Sequence, residues 1–136
     1  MRAFDPATTT AERLRQRELL RERGLDSVRR AVAAGIPLAL GTDAGVHPHG
    51  RNLAELAQLV AVGLTPLEAL SAGTLGGARL LGLDAELGSV EPGKLADLVL
   101  TDADPLADIA ALGDPSAVRA VLQSGRVVKD LDGRLE

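Results

Sequence analysis

The 136-residue sequence has no cysteine, no tryptophan and no tyrosine, and Phe4 is its only aromatic residue. Without cysteine there can be no disulfide, no thiolate metal ligand and no thiol nucleophile. Without aromatics there is no platform on which bases or sugars could stack, and the core must be built from Leu, Val, Ile and Ala. An excess of positive charge is missing too: 15 basic residues stand against 19 acidic ones, a net charge of −4. That balance gives no electrostatic footprint for nucleic acid or an anionic membrane surface. The longest uncharged apolar run, residues 31–42, falls short of the roughly 20 residues a spanning helix needs. The N-terminal MRAFDPATTT has no apolar segment of the secretory type. The expectation is a cytoplasmic chain with no nucleic-acid and no membrane partner.

What remains is globular composition, 46% hydrophobic and 25% charged. Thr9 and Glu12 have capping-box spacing and predict a helix to about Arg23 that stops at Gly24. The alternation of Glu12, Glu18 and Glu22 with Arg13, Arg15, Arg17, Arg21 and Arg23 reads as a solvated helix face. A second helix is predicted from Asp26, with Val28, Ala31 and Val32 on one face and Gly35 as its stop. The apolar run at residues 36–40 then predicts a strand buried on both faces of a parallel sheet. Residues 52–62 predict an amphipathic helix, with Leu53, Leu56, Leu59 and Val60 on the stripe that packs against residues 38–40. Thr65, Pro66 and Glu68 mark the start of the next helix. A shorter one is predicted around residues 77–81, with Gly82 as its end.

After Leu83 the pattern changes. A Pro92-Gly93 turn, a short strand at 98–100, and two strands at 118–122 and 126–129 around Gln123-Ser124-Gly125 predict a small, mostly β segment. The expected organisation is an α/β portion over residues 1–82 and a β segment over 83–136.

The loop between residues 41 and 50 carries the chemistry-bearing side chains. Ligands gather at the carboxyl ends of parallel strands, and Asp43 stands there among Gly41, Ala44 and Gly45. Its carboxylate suits a hard metal ligand or a proton acceptor; the other reading is a turn-capping aspartate. His47 and His49, two apart, would face one side of an extended segment and could join Asp43 on an ion; the other reading is two exposed loop histidines. Glu55, at the start of the following helix, is expected to meet the helix dipole or to pair with Arg51. The glycines at 76 and 77 fit no phosphate-binding pattern, and no serine has a suitably spaced histidine.

The strings GTDAG, HPHGRNLAEL, AVGLTPLEALSAGT, ARLLGL and LGSVEPGKLADLVL, in this order, resemble the C-terminal third of the amidohydrolase superfamily. Its imidazolonepropionase-like and Xaa-amino-acid dipeptidase branches are the nearest in likeness. The resemblance implies the terminal β/α portion of a TIM-barrel metal-dependent hydrolase, followed by a segment of a small composite β-domain. It implies divalent metal, zinc first, and a small amide or dipeptide substrate whose C–N bond is hydrolysed. Asp43 matches the aspartate at the end of the eighth barrel strand, which binds the more buried metal and moves a proton from the bridging hydroxide to the leaving nitrogen. His49, Gly50 and Asn52 match the loop bordering the substrate pocket, and Lys94 and Asp97 fall on structural positions of the β-domain. The other metal ligands of the family, an HxH pair and further histidines on earlier strands, have no counterpart here. His47-Pro48-His49 lies after the wrong strand to replace them. The expectation is therefore a truncated or split amidohydrolase, inactive alone and completed by an N-terminal barrel partner or held as a homo-oligomer. The alternatives are a non-catalytic subunit and a small metal-binding protein using Asp43, His47 and His49.

Overall fold

A computed structural model describes residues 10–43, 45, 49–133 and 135. The chain divides into two units, Met1–Ile36 and Pro37–Glu136.

In the first unit, α1 runs without interruption over Ala11–Ala33. The predicted break at Gly24 does not occur. A helical glycine costs about 1 kcal/mol relative to alanine, and residues 25–33 contain no proline to turn that cost into a stop. Arg21–Glu18 and Arg30–Asp26 pair along its surface at 3.3 and 3.5 Å. The residue before the helix is Thr10, whose side chain makes no cap hydrogen bond; Thr9 lies outside the described residues. The end at Gly35 is as expected. With φ at +68°, Gly35 lets its own N–H donate to Val32 O and the Ile36 N–H donate to Ala31 O, at 2.9 and 3.0 Å. That pair of bonds is the Schellman ending.

The second unit begins with a segment through Leu40 that has no regular secondary structure and joins no sheet among the described residues. The expected buried parallel strand is thus corrected: a parallel strand draws its hydrogen bonds from neighbouring strands, and none among the described residues pairs with it. Instead the Leu40 N–H donates to the Ala72 carbonyl at 2.9 Å. Leu38 and Leu40 turn inward and are half-buried, and Ala39 between them is exposed. Beyond the loop, a 3₁₀ turn at Asn52–Ala54 leads into α2, Glu55–Ala61. Helix α3, Pro66–Gly73, starts as its sequence predicts. The Glu68 N–H donates to Thr65 Oγ1, the Thr65 N–H donates to Glu68 Oε2 at 2.8 Å, and Pro66 takes the first helical position. Helix α4, Leu75–Leu81, ends at Gly82 in the left-handed region.

Three strands follow, β1 at Leu98–Thr101, β2 at Val118–Gln123 and β3 at Arg126–Asp130. They form an antiparallel sheet in the order β1-β2-β3. The β2–β3 hairpin turns on Ser124 and Gly125, at φ +50° and +77°, the positive pair a two-residue hairpin loop favours. The Ser124 N–H donates to Asp97 Oδ1 at 2.6 Å, and the Gly125 N–H donates to the Ala96 carbonyl at 3.0 Å. Asp97 is therefore a clasp on the hairpin. Lys94 is built in similarly: its ammonium donates to Ser89 Oγ and pairs with Glu91 at 3.4 Å.

The core of the second unit lies between α2, α3 and a 3₁₀ stretch at Ile109–Gly113. Leu56, Ala69, Ile109 and Leu112 are buried together, with Leu40, Leu53, Leu59 and Val60 packed against them. The stripe expected on residues 52–62 thus faces inward and meets Leu40. One core joins residues before and after Leu83.

Candidate functional site

The site residues are set by the two anchors on residues 38–40. Leu40 hangs by its N–H from the last turn of α3, where a helix leaves carbonyls without intrahelical donors. The chain then crosses Gly41 and Thr42 and reaches Asp43. Asp43 adopts φ +44°, in the left-handed region that a side chain enters at a cost and that short polar residues tolerate best. Its carboxylate is exposed, and among the described residues it accepts no hydrogen bond and joins no ion pair. A turn-capping aspartate spends its oxygens on nearby N–H groups, as Asp104, Asp108 and Asp114 do here, each accepting from the amide two residues on. Among the described residues, Asp43 does none of this.

His49 and Gly50 follow in an exposed turn, Gly50 at φ +85°. Asn52 opens the 3₁₀ turn that leads into α2 and is also exposed. Glu55 sits in the first turn of α2, where a carboxylate benefits from the helix dipole. The expected Arg51–Glu55 pair is absent among the described ion pairs. The Arg51 charge instead helps hold the Asp114 carboxyl below the usual carboxylate range, after the larger effect of its hydrogen bonds from Ser116. His47 lies outside the described residues.

Among the described residues, no group of three or more His, Cys, Asp or Glu side chains lies together so as to hold a metal ion. The described part of the loop offers Asp43 and His49 as separate exposed donors. These residues do not make a metal centre by themselves. No helix among them is long and apolar enough to cross a membrane.

Pattern reading passed over the packing under the loop. Gly76, inside α4, has the Leu38 carbonyl oxygen 2.6 Å from where a β-carbon would stand. The available signal was a pair of glycines in the first turn of a helical segment, where only one of them is needed for space.

Together these features define a mixed α/β protein in which an exposed aspartate in strained backbone follows an apolar segment docked on two helices, with a small antiparallel sheet after them. The chain belongs to the amidohydrolase family, whose model matches residues 4–128. It is 35% identical over 114 residues to the ochratoxinase of Aspergillus niger, covering 82% of this chain and 23% of that one. It is 33% identical over 112 residues to the imidazolonepropionase of Geobacillus kaustophilus, covering 79% and 26% respectively. Among solved structures, a Xaa-Pro dipeptidase with methionine bound in its active site matches with a TM-score of 0.72 and 37% identity, over 77% of this chain and 25% of the other. The chain thus spans about a quarter of the length of the relatives it matches.

Proposed function

We propose that this chain is the closing portion of a metal-dependent amidohydrolase that hydrolyses a C–N bond in a small amide or dipeptide-like substrate. In this reading residues 1–82 supply the terminal β/α part of a barrel and residues 83–136 a segment of its β-domain. The reading rests above all on the Asp43 carboxylate, which accepts no hydrogen bond from the described residues and follows the docked segment, within a chain matched to the family over residues 4–128. As water adds to the substrate carbonyl and the C–N bond breaks, one proton must travel from that water to the departing nitrogen. An exposed carboxylate with no other partner is suited to carry it. Asp43 is also the ligand this chain gives to a divalent metal, zinc by resemblance. The remaining donors come from the complementary portion, since the described residues hold no set of their own. His49, Gly50 and Asn52 border the substrate pocket.

A second reading, a non-catalytic subunit docked on a partner, draws on large apolar side chains left exposed, among them Leu80, Val90 and Val128. Complementation separates the two. The chain is mixed with a polypeptide carrying the other three-quarters of a family member, and hydrolysis of N-acyl and dipeptide substrates is followed. Turnover that needs both parts and is lost with Asp43→Asn supports the enzyme reading. Stable association without turnover supports the docked subunit.

A further inference from the structure

We propose that Gly76 is a positioning residue for Asp43, setting where the aspartate stands by admitting the Leu38 carbonyl against the backbone of α4. This rests on the reading of Asp43 as the catalytic carboxylate.

The argument begins with two neighbouring glycines. Gly76 and Gly77 both lie in α4, and neither has the positive φ that would demand a glycine. By helix propensity alanine would suit both. Around Gly77 a β-carbon would meet nothing within 4 Å. Around Gly76 it would stand 2.6 Å from the Leu38 carbonyl oxygen and 3.1 Å from that of Ser71. Both close atoms are backbone, so neither can swing aside as a side-chain tip would. Gly76 is therefore there for space.

The space is used by the segment that leads to Asp43. Its Leu38 carbonyl rests on Gly76, and two residues on, the Leu40 N–H is bonded to the Ala72 carbonyl at 2.9 Å. These two contacts fix the depth and the register of a stretch that pairs with no strand among the described residues. Gly73 widens the same corner: a β-carbon there would stand 3.2 Å from Leu56 Cδ2 and 3.4 Å from Leu40 Cδ2. Asp43 follows Leu40 by three residues. With a methyl group on residue 76, the Leu38 carbonyl oxygen, 2.6 Å from the β-carbon position, must retreat by about 0.8 Å to reach ordinary contact, and the segment moves with it. Displacements of that order at a reacting group cost up to about 10²-fold in rate.

The test compares Gly76→Ala with Gly77→Ala. In the isolated full chain, amide hydrogen exchange is read at Leu40, with Ala69 of α3 as the folding reference. Gly76→Ala is expected to lower Leu40 protection at least tenfold and to shift the Asp43 amide resonance, with Ala69 unchanged. Gly77→Ala should alter neither. In the complemented enzyme, Gly76→Ala is expected to lower kcat about 10- to 100-fold with KM within about threefold, and Gly77→Ala to keep both. Wild-type Leu40 protection and kcat in Gly76→Ala would overturn the proposal. So would an equal loss in Gly77→Ala, which marks a general effect on the helix. If Gly76→Ala unfolds the isolated chain, seen as loss of Ala69 protection, the comparison of kcat and KM between Gly76→Ala and Gly77→Ala in the complemented enzyme decides by the same criteria. Failure of the underlying reading looks different: Asp43→Asn would then keep full turnover whatever Leu40 does.

Discussion

At the scale of single residues, Asp43 differs from the other aspartates of the loops. Asp104, Asp108 and Asp114 accept from the amide two positions on, and Asp97 accepts from Ser124. Those side chains shape turns. Asp43 accepts no hydrogen bond from the described residues and adopts a left-handed backbone at φ +44°, which short polar residues tolerate at a cost. Replacing it with asparagine keeps the size and the tolerance of positive φ but removes the charge and the proton-accepting oxygen. The expected outcome is a loss of turnover by about two orders of magnitude or more in the complemented enzyme, with circular dichroism of the chain unchanged. The sequence marked Asp43 because it follows an apolar run in a glycine-rich stretch. It could not reveal how that stretch is held, because the Leu38–Gly76 contact joins residues nearly forty apart by backbone alone and leaves no pattern in side-chain type.

Among the elements, α3 was the most legible in advance, because its start is written in side chains within four residues of each other. Its capping box is closed in both directions. Thr65→Ala is expected to cost about 1 kcal/mol, read as about a fivefold loss of hydrogen-exchange protection at Ala69. The same cap sets an acid dependence. The Glu68 carboxyl lies below its ordinary range, first because of the hydrogen bond from the Thr65 backbone N–H and then because of the Thr65 hydroxyl. The folded state therefore binds this proton less readily than the unfolded one. The stabilisation is complete above the ordinary glutamate range and is lost as the pH falls through the lower, folded value. Unfolding by urea followed from about pH 6 to about pH 3 should show a shallower decline in Glu68→Gln than in the wild type. The β2–β3 hairpin was legible for the same local reason, since Ser124-Gly125 is a turn signal between two alternating stretches. Helix α1 and residues 36–40 depart from their local patterns in opposite ways. In α1 the helix formers on either side outweigh a single glycine. With nothing within 4 Å of a β-carbon at Gly24, Gly24→Ala should stabilise α1 by about 1 kcal/mol, seen as higher helicity. In residues 36–40 the apolar composition suits a buried strand, but pairing depends on neighbours that no local pattern supplies.

For the whole molecule, the imbalance of burial is the dominant feature. Among the described residues, nine hydrophobic side chains are buried: Leu56, Val62, Ala69, Ala72, Ala78, Ile109, Leu112, Val118 and Ala120. Sixteen large ones are exposed, among them Ile36 at 55%, Leu80 at 76%, Val90 at 86% and Val128 at 58%. At roughly 25 cal/mol per Å² of apolar area, so many uncovered side chains favour association, and the edges β1 and β3 of the sheet offer unpaired backbone as well. Light scattering of the isolated chain is therefore expected to give a mass above that of one 14.0 kDa chain, falling toward a single complex when the complementary polypeptide is added. A monodisperse monomer that stays so in its presence would count against docking.

The central claim, that Asp43 is the catalytic carboxylate of an amidohydrolase whose remaining portion this chain needs for turnover, is tested most directly by one measurement. Hydrolysis of a panel of N-acyl and dipeptide substrates, with zinc added, is compared for the chain alone, the complementary polypeptide alone, the two together, and the two together with Asp43→Asn. The account predicts turnover in the third sample only. Full turnover by the chain alone, or by the Asp43→Asn mixture, would contradict it.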